Sequence, residues 1–310
     1  MAYSAKSDAA GTINQFTRRK DIKITTGGTS TPVNYQVKVT VAYEPEMQSL
    51  FQDIRFNTKT GVYIDYWIES SVESDTADVW LELPDAIADP GSDTIRMYYG
   101  NAAASDGGNG NNTFIQFNSG STFDGTTEII PGSYSAPTWS IEDNAWKVTG
   151  NGRYASVRFF NNTVGNNYIL EANIKSFVET GVGNTQYGLK FDDSLATDEW
   201  GFARWLEVDD MFSIIKTGGV DVSAAGSIST GWNKWKFTKN NNDLALFYND
   251  VLKVSTTDTT DGSYVGTYFL VYDTNNTVWY SNIRVRKYIA NEPTAAVGTA
   301  QHQRRVPIFL

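Results

Sequence analysis

Cysteine is absent from this chain of 310 residues, and histidine occurs once, as His302. The first absence excludes a disulfide framework and any zinc site built from cysteine. The second leaves no Ser-His-Asp or Cys-His constellation inside a domain, because His302 stands in the C-terminal tail. No Gly-rich segment runs into Lys-Ser or Lys-Thr, so a phosphate cradle has no support. No apolar run reaches the ~18 residues that a membrane-spanning helix needs. The opening residues Met1 to Asp8 lack the apolar stretch of a secretory leader, so the expectation is either a mature form or a chain that reaches its site without one. Helical periodicity is missing throughout.

What remains is a β-forming sequence. Apolar residues make up 40% of the chain and aromatics 14%, in short runs broken by Gly, Asn, Asp and Thr. The net charge of -10 argues against a nucleic-acid partner. The basic clusters Arg18-Arg19-Lys20, Arg284-Val285-Arg286-Lys287 and Arg304-Arg305 read as solvated strand faces and a tail.

The chain divides by composition. Residues 1–15 form a small polar arm. Alternating strands follow at Lys20–Thr25 and Tyr35–Val41, where Tyr35, Val37, Val39 and Val41 share one face. Asp53–Phe56, Tyr63–Glu69, Val79–Leu83 and Thr94–Tyr99 complete roughly six or seven strands, enough for a small sandwich over 16–101. The Gly/Asn-rich tract 102–112 reads as a linker or hinge. A second domain spans 113–290, with strong strand signals at Tyr168–Phe177, Trp232–Thr238 and Thr277–Tyr288. The Asn249-Asp250 pair suits a two-residue hairpin, since both residues tolerate positive φ. The tail 291–310, ending Val306-Pro307-Ile308-Phe309-Leu310, is expected to pack back or to dock on a neighbour, with both chain ends held by partner subunits in a homo-oligomer.

Two resemblances carry further expectations. The blocks Tyr35-Gln36-Val37, Asp53-Ile54-Arg55-Phe56, Tyr66-Trp67-Ile68-Glu69, Val79-Trp80-Leu81-Glu82-Leu83-Pro84 and Met97-Tyr98-Tyr99-Gly100-Asn101 resemble a bacterial and archaeal β-domain family of unknown function. That likeness covers 16–105 and implies a surface module, often fused to a lectin-like one. Gly231-Trp232-Asn233-Lys234-Trp235, Leu246-Phe247-Tyr248-Asn249-Asp250 and Trp279-Tyr280-Ser281-Asn282-Ile283-Arg284-Val285 resemble the second half of concanavalin A-like (laminin G-like) jelly rolls. This implies about eleven to fourteen strands in two stacked sheets. The fold class is therefore all-β, a small sandwich followed by a jelly roll. The same resemblance implies a structural Ca²⁺ between first and last strands, at Asn118 (or Asp124) and Ser281, where the family more often carries Asp.

Site chemistry is sparse. Glu207-Val208-Asp209-Asp210-Met211-Phe212 approaches the Glu-x-Asp-x-x-Glu of retaining glycosidases on this fold but places Phe212 where the acid belongs. Stacking on sugar rings needs aromatic faces flanked by polar groups, and Tyr187, Asp193, Trp200, Arg204 and Trp205 offer that composition. Trp200 and Trp205 have opposite parity, so at most one lines a face. Asn111, Asn161 and Asn275 satisfy Asn-x-Thr. The expectation is a non-enzymatic structural or adhesive surface protein, foremost a virion component binding other subunits or glycans. A secreted carbohydrate-binding module and a glycoside hydrolase are the alternatives.

Overall fold

The computed structural model describes residues 13–122, 127–130, 138–150, 155–159, 164–176, 185–192, 201–206, 209–216, 221–258, 264–271 and 276–303. It falls into two units: Met1–Phe114 with Ile289–Leu310, and Ile115–Tyr288.

The first unit begins with β1 (Arg18–Thr25), β2 (Tyr35–Ala42), β3 (Arg55–Thr58), β4 (Tyr66–Val72), β5 (Thr76–Leu83) and β6 (Ser92–Tyr99). One antiparallel sheet contains β1, β6 and β3, and the other runs β2-β5-β4. Ile22, Ile24 and Met97 from the first sheet meet Val37, Val39 and Leu81 from the second in one core. The expected face Tyr35, Val37, Val39 and Val41 is buried throughout.

One expectation is narrowed here and another changes. The C-terminal tail supplies two further strands, Thr294–Val297 and Gln301–His302. Both pair antiparallel with β1, matching Ile22 to Val297 and Arg18 to His302. Residues 294–302 therefore belong to this unit, held by a strand edge of their own chain; 1–12 and 304–310 lie outside the described residues.

The Gly/Asn tract is likewise no hinge. The Asp53 carboxylate accepts the Gly100 and Asn101 amides at 2.8 and 3.1 Å, and the Gln48 amide at 2.9 Å. The buried Arg55 guanidinium donates to the carbonyl of Ser105 at 2.7 Å. Gln48 reaches the carbonyls of Asn101 and Ala104. At Gly100, φ is +84° and an added Cβ would lie 2.3 Å from the Thr17 hydroxyl oxygen, so only glycine fits. A tract poor in apolar side chains is fixed by having its backbone groups satisfied. The Asp-Ile-Arg and Tyr-Gly-Asn blocks of the sequence are the two halves of one clamp.

The second unit holds β7 (Gln116–Asn118), β8 (Thr127–Ile130), β9 (Thr138–Glu142), β10 (Ala145–Gly150), β11 (Ala155–Phe159), β12 (Asn167–Ser176), β13 (Thr185–Asp192) and β14 (Phe202–Leu206). It continues with β15 (Met211–Ile215), β16 (Asp221–Ala225), β17 (Gly231–Asn240), β18 (Asp243–Tyr248), β19 (Val251–Thr257), β20 (Tyr264–Val271) and β21 (Asn276–Lys287). An eight-stranded sheet runs β19-β18-β17-β12-β21-β10-β9, with β7 also on β21; a seven-stranded one runs β16-β15-β14-β13-β20-β11-β8. The described strands thus exceed the expected range. The surplus comes from weakly patterned segments such as Thr138-Trp139-Ser140-Ile141-Glu142 and Asp221–Ala225, which pair on strength of their neighbours.

The two sheets share one aromatic core. Phe191 stacks on Phe237 at 4.3 Å, and Trp235 lies within 6 Å of Tyr187, Phe212 and Tyr248. The all-β jelly-roll sandwich is as expected.

Candidate functional site

Alternation fixes which face of the eight-stranded sheet each side chain takes. Tyr168, Leu170, Ala172 and Ile174 of β12 lie in the core, so Glu171, Asn173 and Lys175 face outward. On β17, Trp235 and Phe237 are inside, so Trp232, Lys234 and Lys236 are outside. On β21, Val278 and Tyr280 point in and Trp279 and Ser281 point out.

A bulge then resets the parity of β21. Glu171 pairs with Arg284, but Asn173 pairs with Ser281, so Asn282 and Ile283 together oppose Ala172. Asn282 takes φ +52°, a conformation that Asn adopts more readily than most residues. Beyond the bulge Ile283 and Val285 return to the core, and Arg284 and Arg286 face outward.

An open cleft of about 360 Å³ is lined by Ser119, Asp143, Asn144, Asn173, Trp232, Ser281 and Asn282. Each part has a local cause. Asp143 and Asn144 form the two-residue turn joining β9 to β10, both at positive φ (53° and 58°) as a tight hairpin requires. Ser119 accepts the Asn282 amide at 3.1 Å, tying the β7 loop to the bulge. Gly120 packs so closely on Tyr280, Ala145 and Asn144 that a Cβ would sit 2.7 Å from the Tyr280 carbonyl oxygen.

Trp232 is 46% exposed, unusual for an indole. It opens a cross-strand row of alternating indole and ammonium: Trp232, Lys175, Trp279, Lys147. Lys175 Nζ lies 5.9 Å from the Trp232 ring centre and 4.6 Å from that of Trp279, and Lys147 Nζ lies 5.5 Å from Trp279. Glu142 closes the row, accepting from Lys147 at 2.5 Å and from the Trp279 indole at 3.2 Å. The Lys147 hydrogen bond holds the Glu142 carboxyl below the usual carboxylate range.

The next rows are charged. Fully buried Glu171 accepts from Arg284 at 2.8 Å and Arg286 at 3.4 Å, with Lys234 at 3.9 Å. Burial by itself would raise its pKa, but the Arg286 and Arg284 guanidiniums outweigh that and hold the carboxyl well below the ordinary range. By contrast, the side-chain amides of Asn144, Asn173 and Asn282 and the Ser281 hydroxyl make no hydrogen bond to the described residues, and all face the cleft. Their donors and acceptors are unspent.

Among the described residues of the expected sugar patch, the two aromatics meet in the core and not on a surface. Tyr187 and Trp205 are buried in the core, with ring centres 5.7 Å apart and the Trp205 indole donating to the Gly226 carbonyl. Their parity places them inside, where the seven-stranded sheet meets Trp235. Arg204, one residue on, faces the other way and bonds Ser213 and Gln186. Asp193 and Trp200 lie outside the described residues, as do Glu207 and Val208. Phe212, where the glycosidase acid was sought, is a core residue.

The calcium positions fare as follows. Buried Asn118 accepts the Gly120 amide at 2.8 Å and donates to the Thr122 carbonyl at 3.2 Å, so the loop closes on its own hydrogen bonds. Asp124 lies outside the described residues, and Ser281 lines the cleft. Among the described residues no group of three or more His, Cys, Asp or Glu is placed to hold a metal ion.

Sequence reasoning missed the cleft because its walls are a turn, a bulge and a loop far apart in the chain. Only Asp143-Asn144, a hairpin signal between two short apolar runs, was open to detection.

The chain is similar in fold to solved carbohydrate-binding and hydrolase domains over about half its length. The carbohydrate-binding module CBM66 from Bacillus subtilis is 13% identical over 52% of this chain and 96% of its own, with TM-score 0.42. A Bacillus subtilis protein of unknown function with a galectin-like fold is 10% identical over 56% and 96%, TM-score 0.41. The laminarinase catalytic domain from Thermotoga maritima is 8% identical over 57% and 98%, TM-score 0.44. No curated protein matches the chain. A family model described as "Domain of unknown function (DUF2341)" matches residues 50–142. That match starts later and ends later than the 16–105 expected, taking in β3–β6, the clamped tract and β7–β9.

Proposed function

We propose that this chain is a non-enzymatic adhesive protein of a virion or cell surface, and that its second unit binds carbohydrate in the cleft between Trp232 and Asp143. The observation that carries the reading is the combination of an exposed indole with three carboxamides and a hydroxyl whose hydrogen bonds are unspent. An indole face covers the apolar side of a pyranose ring. Amides and hydroxyls both donate and accept, which is what vicinal hydroxyls demand. Trp232 and the Asp143-Asn144 turn lie on strands separated by β12 and β21, a span of roughly 15–19 Å at the spacing of paired strands. The cleft is long enough for more than one sugar ring.

The non-enzymatic part rests on Asp143 being the single carboxylate among the described residues lining the cleft, since glycoside hydrolysis ordinarily uses two. Partner contacts by residues 294–302 are not part of the reading, because those residues already pair with β1. Glycan-array and calorimetric binding of the full chain test it. The wild type is expected to bind at least one glycan class without releasing reducing sugar. Trp232→Ala is expected to weaken that binding tenfold or more, about 1.4 kcal/mol. Binding unchanged in Trp232→Ala, or turnover of the bound polysaccharide, would overturn it.

A further inference from the structure

The outward face around the cleft has a charge that the whole chain does not. Among the described residues, strands β21, β12 and β17 turn outward Arg284, Arg286, Lys175, Lys234 and Lys236 against one carboxylate, Glu171. Asp250, from the β18–β19 turn, adds a second at 3.1 Å from Lys234 and 3.6 Å from Lys236. Arg284 and Arg286 are buried on Glu171, which leaves Lys175, Lys234 and Lys236 with Asp250 as the partly exposed groups, on a chain of net charge -10. Asp143 stands at the opposite end of the cleft, beside Glu142, whose charge Lys147 meets at 2.5 Å. The site is therefore polarised along its length, positive by Trp232 and negative by Asp143.

One cation stands beside the cleft. Lys175 follows Asn173 by two residues on β12, which puts both on the same face. It also sits directly across from Trp232 in the strand register. Two indoles flank its ammonium, displacing water and strengthening any ion pair made there.

We infer that the carbohydrate taken by this cleft is anionic, a sugar bearing a carboxylate, and that Lys175 reads that carboxylate at the Trp232 end. This rests on the carbohydrate reading above and narrows it to acidic glycans such as hexuronate or sialate chains. Neutral hydroxyls of the same chain then fall toward Asn144, Asn173, Asn282 and Asp143.

The test uses matched pairs on the whole 310-residue chain: oligogalacturonate with its carboxyl-reduced galactan, and an array of other acidic glycans with their reduced counterparts. The wild type is expected to favour the acidic member of at least one pair by tenfold or more. The preference should shrink as salt shortens the Debye length from ~10 Å to ~3 Å. Lys175→Gln should erase the preference while leaving neutral binding within about threefold, and Lys175→Arg should retain it. Circular dichroism confirms that each variant is folded, and the wild-type salt dependence stands without any variant. Equal binding of acidic and reduced members, or a preference kept by Lys175→Gln, overturns the inference. If neutral sugars still bind through Trp232, the carbohydrate reading survives alone; if no glycan binds the wild type, both fall.

Discussion

The two faces of the eight-stranded sheet are made by the same residues in alternation, yet they are stabilised in opposite ways. Inward, Trp146, Tyr168, Trp235, Phe237 and Tyr280 are buried against the other sheet. Their contribution is apolar area removed from water and close packing. Outward, Glu171 is just as deeply buried but is a charge, tolerable only because two guanidiniums meet it. The contrast is sharpest within one strand. Trp232 and Trp235 are three residues apart, an odd step, so one indole is in solvent and the other in the core. The outer face also carries the cleft, where the amides of Asn144, Asn173 and Asn282 make no hydrogen bond among the described residues.

Trp235→Ala should break the inner face first. Removing an indole that touches Tyr187, Phe212 and Tyr248 is expected to cost about 4–5 kcal/mol, seen as an early denaturant midpoint for the second unit. Glu171→Gln comes next, at about 3 kcal/mol, because two buried guanidiniums lose their counter-charge but keep an amide oxygen. Its pH dependence has a definite sign. The folded carboxyl is held below its unfolded value, so its stabilisation is present above the unfolded pKa of about 4.3 and is lost as pH falls toward the folded one. Urea unfolding should show the gap between wild type and Glu171→Gln narrowing from pH 7 to pH 3. A constant gap would mean that the carboxylate charge is not what stabilises this face.

Much of this was legible in the sequence, and the limit has a physical cause. Strand positions follow from period-two alternation, a local property, which is why β1, β2, β12, β17 and β21 fall where the pattern put them. The Asn249-Asp250 turn likewise has both residues at positive φ, 49° and 62°. Parity tells that Trp232 and Trp235 lie on opposite faces but not which is inside. That depends on β12 and β18 as neighbours, contacts made across tens of residues. The same ambiguity drew Tyr187 and Trp205 into an expected patch when both are core. The Gly/Asn tract misled for the reverse reason: composition reports apolar burial but not whether Asp53 and Arg55 will satisfy a backbone from fifty residues away. Bulges are quieter still, since nothing in Ser281-Asn282-Ile283 marks the extra residue except an Asn that accepts φ +52°.

The smallest stability effect belongs to the residue with the largest functional one. Trp232→Ala removes an indole already 46% exposed, which meets the row at the Lys175 ammonium. Its cost is expected to stay within about 0.5 kcal/mol, as for surface positions away from caps and cores. Thermal unfolding of this variant beside Trp235→Ala would therefore separate the two indoles by several kcal/mol, although they share a strand. Should Trp232→Ala prove as destabilising as Trp235→Ala, the outer indole is a packing residue and the cleft loses its stacking wall. Should it leave stability untouched and abolish glycan binding, the outer face has kept a costly exposed aromatic for a purpose other than folding.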